Sequence, residues 1–173
     1  MEKHSPALRL ASGVLRTLIV LNWIMGVLIL TLLVASVVAG QWTLLALGFP
    51  HASTLRSMLP GLQAIAVLGL IAIPLNHAVL ARLLAIVETV RAGDPFVASN
   101  ASRLQAVAWV LLVLQVLSLV VGAIARALST PAHPFNFSAG FSINGWLAVL
   151  LTFVLARVFA EGTLMRDDVE GTV

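Results

Sequence analysis

The chain has 173 residues, of which 60% are hydrophobic and only 10% charged, and a mean hydropathy of +1.06. A soluble domain carries about 25% charged residues, so 17 charged side chains (ten Lys and Arg, seven Asp and Glu) cannot cover this much apolar surface in water, and the bilayer is the expected solvent. The net charge of +3, without a run of consecutive basic residues, excludes direct nucleic-acid binding despite the high isoelectric point, and the absence of cysteine excludes disulfides, thiolate metal sites and cysteine nucleophiles.

In chain order, the stretch from Thr17 to Gly40 carries no ionisable residue and predicts a first span near 17–39. Lys3, Arg9 and Arg16 before it, and small residues at its end, resemble a signal peptide, but an uncharged stretch of 24 residues exceeds the usual h-region of about 7–15. Within it, Asn22 and Gly26 lie one turn apart: an intramembrane amide facing another helix, and a small residue that admits close approach.

The loop 41–60 holds Trp42 and Phe49, aromatic residues suited to a headgroup belt. A second span follows near 62–81, containing Pro74, Asn76 and His77. Proline frees the carbonyl of Leu70, and Asn76 or His77 is placed to satisfy the disturbed turn. Asn22, Asn76 and His77 are read together as intramembrane packing residues, because no Asp, Glu, Lys or Arg accompanies them in the middle of the spans.

Leu80, Leu83, Leu84, Val87 and Val90 continue the second helix past the membrane until Gly93, which suits a left-handed position after a helix. Pro95 prevents continuation, and Ser99 or Asn100 is expected to cap the next helix, making 82–104 a short hairpin loop. The third span is expected near 105–126 and the fourth near 141–158. Between them, the loop 129–144 carries Phe135, Phe137, Gly140 and Phe141, which also allow a short strand pair.

Eight of the ten basic residues fall before the first span, in the middle loop or after the last span; only Arg56 and Arg126 lie opposite. The positive-inside rule then places both termini and the hairpin in the cytoplasm. The expected fold is thus an all-α membrane protein, one domain over 1–173, with four transmembrane helices in an antiparallel bundle in the bacterial inner membrane. All seven acidic residues share the cytoplasmic face.

That face gathers the candidate site: Glu88, Arg91, Asp94, Pro95, Phe96, Asn100, Arg103, Arg157 and Glu161, read as either a docking surface or a solvated charge belt. Arg157 and Glu161 lie one turn apart and are placed to pair along the last helix. The charged end from Arg166 to Val173 is either a peptide for a cytoplasmic protein or a solvated tail.

His4, His51, His77 and His133 are scattered and have no second ligand at helical spacing, so no metal is expected. No Gly-x-Ser-x-Gly elbow, His-Glu-x-x-His helix or phosphate loop occurs, so no catalytic residue and no cofactor are expected.

The stretch from Gly93 through Asp94, Pro95, Phe96, Val97, Ala98, Ser99, Asn100, Ala101 and Ser102 to Arg103 and Leu104 resembles the Gly-x-Pro-Phe, Asn, Arg-Leu signature of the DUF2975 family of bacterial membrane proteins. The stretch from Leu155 to Gly162 resembles that family's closing helix. The family has no established activity or catalytic residues to transfer. Its members are often encoded beside a small helix-turn-helix regulator of the Xre/Cro type, which implies a membrane partner for a transcription factor. Composition alone leaves a small oligomeric transporter or channel subunit as the alternative, and a membrane-bound enzyme, resting on Glu88, Asp94 and Glu161, as the third reading.

Overall fold

The computed structural model describes residues 6–38, 52–129 and 140–170, and side chains throughout those except 52–58 and 166–170. The described residues form four long helices: α1 (Pro6–Val38), α2 (Ala52–Arg91), α3 (Ala98–Leu128) and α4 (Ile143–Glu170). Each contains a stretch long and apolar enough to cross a membrane, within Pro6–Val38, Leu59–Arg91, Ala98–Leu128 and Ile143–Met165. The chain is an all-α, multi-pass membrane protein.

Three helices begin earlier than their apolar stretches: α1 at Pro6 rather than near 17, α2 at Ala52 rather than near 62, and α3 at Ala98 rather than near 105, so 52–60 of the expected loop 41–60 and 98–104 of the expected hairpin loop are helical. A charge marks where a segment leaves hydrocarbon, whereas backbone hydrogen bonding continues into the interface at no extra cost. Proline at the first helical position of α1 suits a start there, since its missing N–H has no intrahelical partner. Trp42, Phe49, Phe135 and Phe137 lie outside the described residues; among those described, 140–142 form no strand.

The described residues belong to two compact units, one from Met1–Leu21, Leu75–Leu114 and Ile143–Val173, the other from Asn22–Pro74 and Gln115–Ser142. In the second unit, α1 and α2 meet closely: a Cβ at Gly26 would stand 3.2 Å from the Ile73 side chain. Beside this contact Asn22 Nδ2 donates to the Ile73 carbonyl at 3.0 Å. The carbonyl freed by Pro74 is that of Leu70, so this bond to Ile73 fastens α1 to α2 and does not replace the missing one, and it is a contact that spacing along α2 cannot reveal. Gln63 donates to Ser36 Oγ, and Gln115 and Ser118 hold the segment before α4 through Ser142 and Gly140.

In the first unit the buried apolar residues are Val79, Leu104, Val107, Ala108, Val149 and Ala156. Most large apolar side chains of α1 and α4 instead point outward, among them Leu18, Trp23, Leu28, Leu150 and Val154, as hydrocarbon permits.

Candidate functional site

The candidate residues from Glu88 to Glu161 all lie in the first unit. α2 ends there in a Schellman turn: Gly93 N–H donates to the Val90 carbonyl at 3.1 Å and Asp94 N–H to the Thr89 carbonyl at 3.1 Å. Gly93 has φ of 86°, the left-handed conformation that a side chain disfavours. Pro95 follows where a helix cannot continue.

α3 begins at Ala98, so Ser99 and Asn100 lie inside its first turn and neither is the cap. The expectation fails because Asn100 is spent elsewhere. It has no exposed surface, and its Nδ2 donates to Thr89 Oγ1 at 2.7 Å and to the Pro95 carbonyl at 2.9 Å. Its Oδ1 accepts from Arg103 Nη1 at 2.9 Å. One amide therefore ties the end of α2, the turn and the start of α3, and a buried amide satisfied on both sides rigidifies the segment.

Phe96 projects from this turn to α4. Its ring lies 5.5 Å from that of Phe159, and a Cβ at Gly162 would stand 3.3 Å from Phe96 Cδ1. Phe96 remains 44% exposed. Arg157 Nε donates to Glu161 Oε1 at 2.7 Å along α4, with both side chains mostly exposed.

Glu88 takes a partner that helical spacing along one element cannot show: Arg16 of α1, at 3.3 Å. Arg91 is half-buried, and its Nε makes no hydrogen bond among the described residues. Asn76 and His77 sit half-buried on α2 in this unit, apart from Asn22, which belongs to the other. Arg82 Nη1 turns back to the Ala78 carbonyl of its own helix at 3.0 Å. Among the described residues, no three His, Asp or Glu side chains are grouped to hold a metal ion.

The hairpin and the α4 stretch from Leu155 to Gly162 are thus packed on each other through Phe96, Phe159 and Gly162. The model of the family DUF2975, described as a protein of unknown function, matches residues 65–173. The chain belongs to this family. The match spans most of α2, the hairpin, α3 and α4, and leaves α1 outside it. No curated protein and no solved structure matches the chain.

Proposed function

We propose that this DUF2975 protein is a non-enzymatic inner-membrane protein whose hairpin and α4 present a cytoplasmic docking face for a small helix-turn-helix regulator, held or released in response to a membrane or envelope signal. The observation that carries this reading is the clasp of Phe96 on Phe159 and Gly162: an aromatic side chain, 44% exposed, on a turn made rigid by Asn100. Aromatic anchors on pre-ordered backbone are the kind of residue from which interfaces draw most of their energy. The same unit carries exposed charged side chains of both signs, the pairs Arg16–Glu88 and Arg157–Glu161. Each contributes less than about 1 kcal/mol to stability while exposed, so their value lies in selecting a partner. The positive-inside distribution and the gene neighbourhood implied by the family resemblance supply the direction and the partner class.

A transporter or channel subunit has less support, since the Asn22 amide is already committed to the Ile73 carbonyl. The test is co-expression of the full chain with the tagged helix-turn-helix regulator encoded beside it, followed by purification in detergent. Co-purification that is lost in Phe96→Asp while the chain stays folded supports docking. Failure to co-purify, together with unchanged target-gene expression on deleting the membrane protein, rules it out.

A further inference from the structure

A groove of about 330 Å³ lies between the first turns of α3 and the middle of α4, within the first unit. Its volume falls in the range of small-ligand sites. Ala101, Ala156, Ala160 and Phe153 supply its apolar lining, and Ser102, Gln105 and Arg157 its polar groups. Beside Phe153 stands Trp109, whose ring meets it edge-on at 5.3 Å.

The polar groups carry unused capacity. Arg157 commits only its Nε, to Glu161, so both Nη groups are without a hydrogen bond among the described residues. Gln105, although it sits in a stretch long and apolar enough to span a membrane, makes no side-chain hydrogen bond among those residues either. Ser102 Oγ donates to the Ser99 carbonyl at 2.9 Å, so it faces a ligand as an acceptor. Two nitrogens of one planar guanidinium and a nearby amide match the oxygens of a phosphodiester. A hydroxyl acceptor beside them matches a headgroup that carries its own hydroxyls.

We propose that this groove binds an anionic phospholipid of the phosphatidylglycerol type, with the phosphodiester on Arg157 and Gln105, a glycerol hydroxyl donating to Ser102, and the start of an acyl chain over Phe153 and Trp109. The lipid, rather than a soluble phosphate, is indicated by what surrounds the groove. Trp109 and Leu150, the latter one turn before Phe153, are exposed beside it, and both helices contain membrane-spanning stretches. Only a ligand with a hydrocarbon portion satisfies the polar end and covers the aromatic end together. The inference needs no protein partner; it shares Arg157 with the proposed docking face, but lipid retention is read on the chain without a regulator, so its outcome is separate from that of the docking test.

The full-length chain in detergent, supplied with equal amounts of dioleoylphosphatidylglycerol and dioleoylphosphatidylcholine and then freed of excess lipid by size exclusion, reports the retained lipid by mass spectrometry. Preferential retention of phosphatidylglycerol is expected, reduced about tenfold by Arg157→Gln, since each hydrogen bond to a charged group contributes that order of binding. Gln105→Leu, on an exposed position that tolerates an apolar side chain, is expected to reduce it as well. Ala160→Leu fills the groove with every charge intact and is expected to abolish the preference, whereas Arg9→Gln, a change to an exposed cation outside the groove, leaves it unchanged. Equal retention of the two lipids overturns the proposal. So does an equal loss in Arg9→Gln and Arg157→Gln, which indicates general charge attraction, or full retention in Gln105→Leu or Ala160→Leu. Displacement by millimolar inorganic phosphate, or by a glutamate-rich peptide, assigns the groove to a soluble anion or a protein segment and overturns it too.

Discussion

Asn100 shows how much of this site depends on one amide. It bridges Thr89, Pro95 and Arg103 without exposure to solvent, so Asn100→Ala leaves several polar groups short of partners, each costing about 1–3 kcal/mol when buried. The variant is expected to lose about 2–3 kcal/mol and to become cleavable in the hairpin by a protease that spares the unaltered chain. Equal resistance of the two proteins is the contrary result. Asn22 is a different case, because its amide donates to one backbone carbonyl between apolar helices. Interhelical hydrogen bonds in lipid average about 0.6 kcal/mol, so Asn22→Leu is expected to shift the thermal midpoint in detergent only slightly. A loss of several kcal/mol there would show that this contact holds α1 against α2 by more than one hydrogen bond. The importance of Asn100 was visible in the sequence only as a residue near a helix start, because its partners are set by the fold of the turn. Asn22 was legible as an amide facing another helix, but its acceptor was not, since backbone carbonyls have no sequence identity.

At the scale of elements, the four helices were readable from uncharged stretches alone, as was the hairpin from Gly93 and Pro95. The starts of α1 and α2 were not, because charge counting delimits the hydrocarbon and not the helix. The pair Arg157–Glu161 followed from spacing of one turn, while Arg16–Glu88 joins two helices and leaves no trace in local spacing. The attachment of the hairpin to α4 likewise depends on a tertiary contact, Phe96 against Phe159 and Gly162. Phe96→Ala removes an aromatic contact of about 0.5–1.5 kcal/mol beyond its buried area. It is expected to raise amide hydrogen exchange in 159–165 while leaving exchange in Leu104–Ala108 unchanged. Raised exchange throughout α3 would mean that Phe96 supports the whole unit and does not act as a local clasp. Arg16→Gln, by contrast, is expected to change stability by less than about 1 kcal/mol, because the pair it breaks is solvated.

For the whole molecule, the docking reading and the direction of any signal depend on which side of the membrane the hairpin occupies. The charge asymmetry supplies a direction, with Arg82, Arg91 and Arg103 around the hairpin and only Arg56 and Arg126 in or beside the intervening loops. The absence of cysteine makes a direct measurement simple, since one introduced thiol is the sole target for a maleimide. Ser99, exposed at the start of α3, and Ser129, exposed after its end, bracket a helix long enough to cross the bilayer. In intact cells, a membrane-impermeant maleimide is expected to label Ser129→Cys and to spare Ser99→Cys, with both labelled after the membrane is opened. The opposite pattern turns the hairpin outward and removes any cytoplasmic regulator as its partner. Labelling of both thiols in intact cells would mean that α3 does not cross the membrane at all, against its uncharged stretch from Leu104 to Ala125 and a rise of about 1.5 Å per residue.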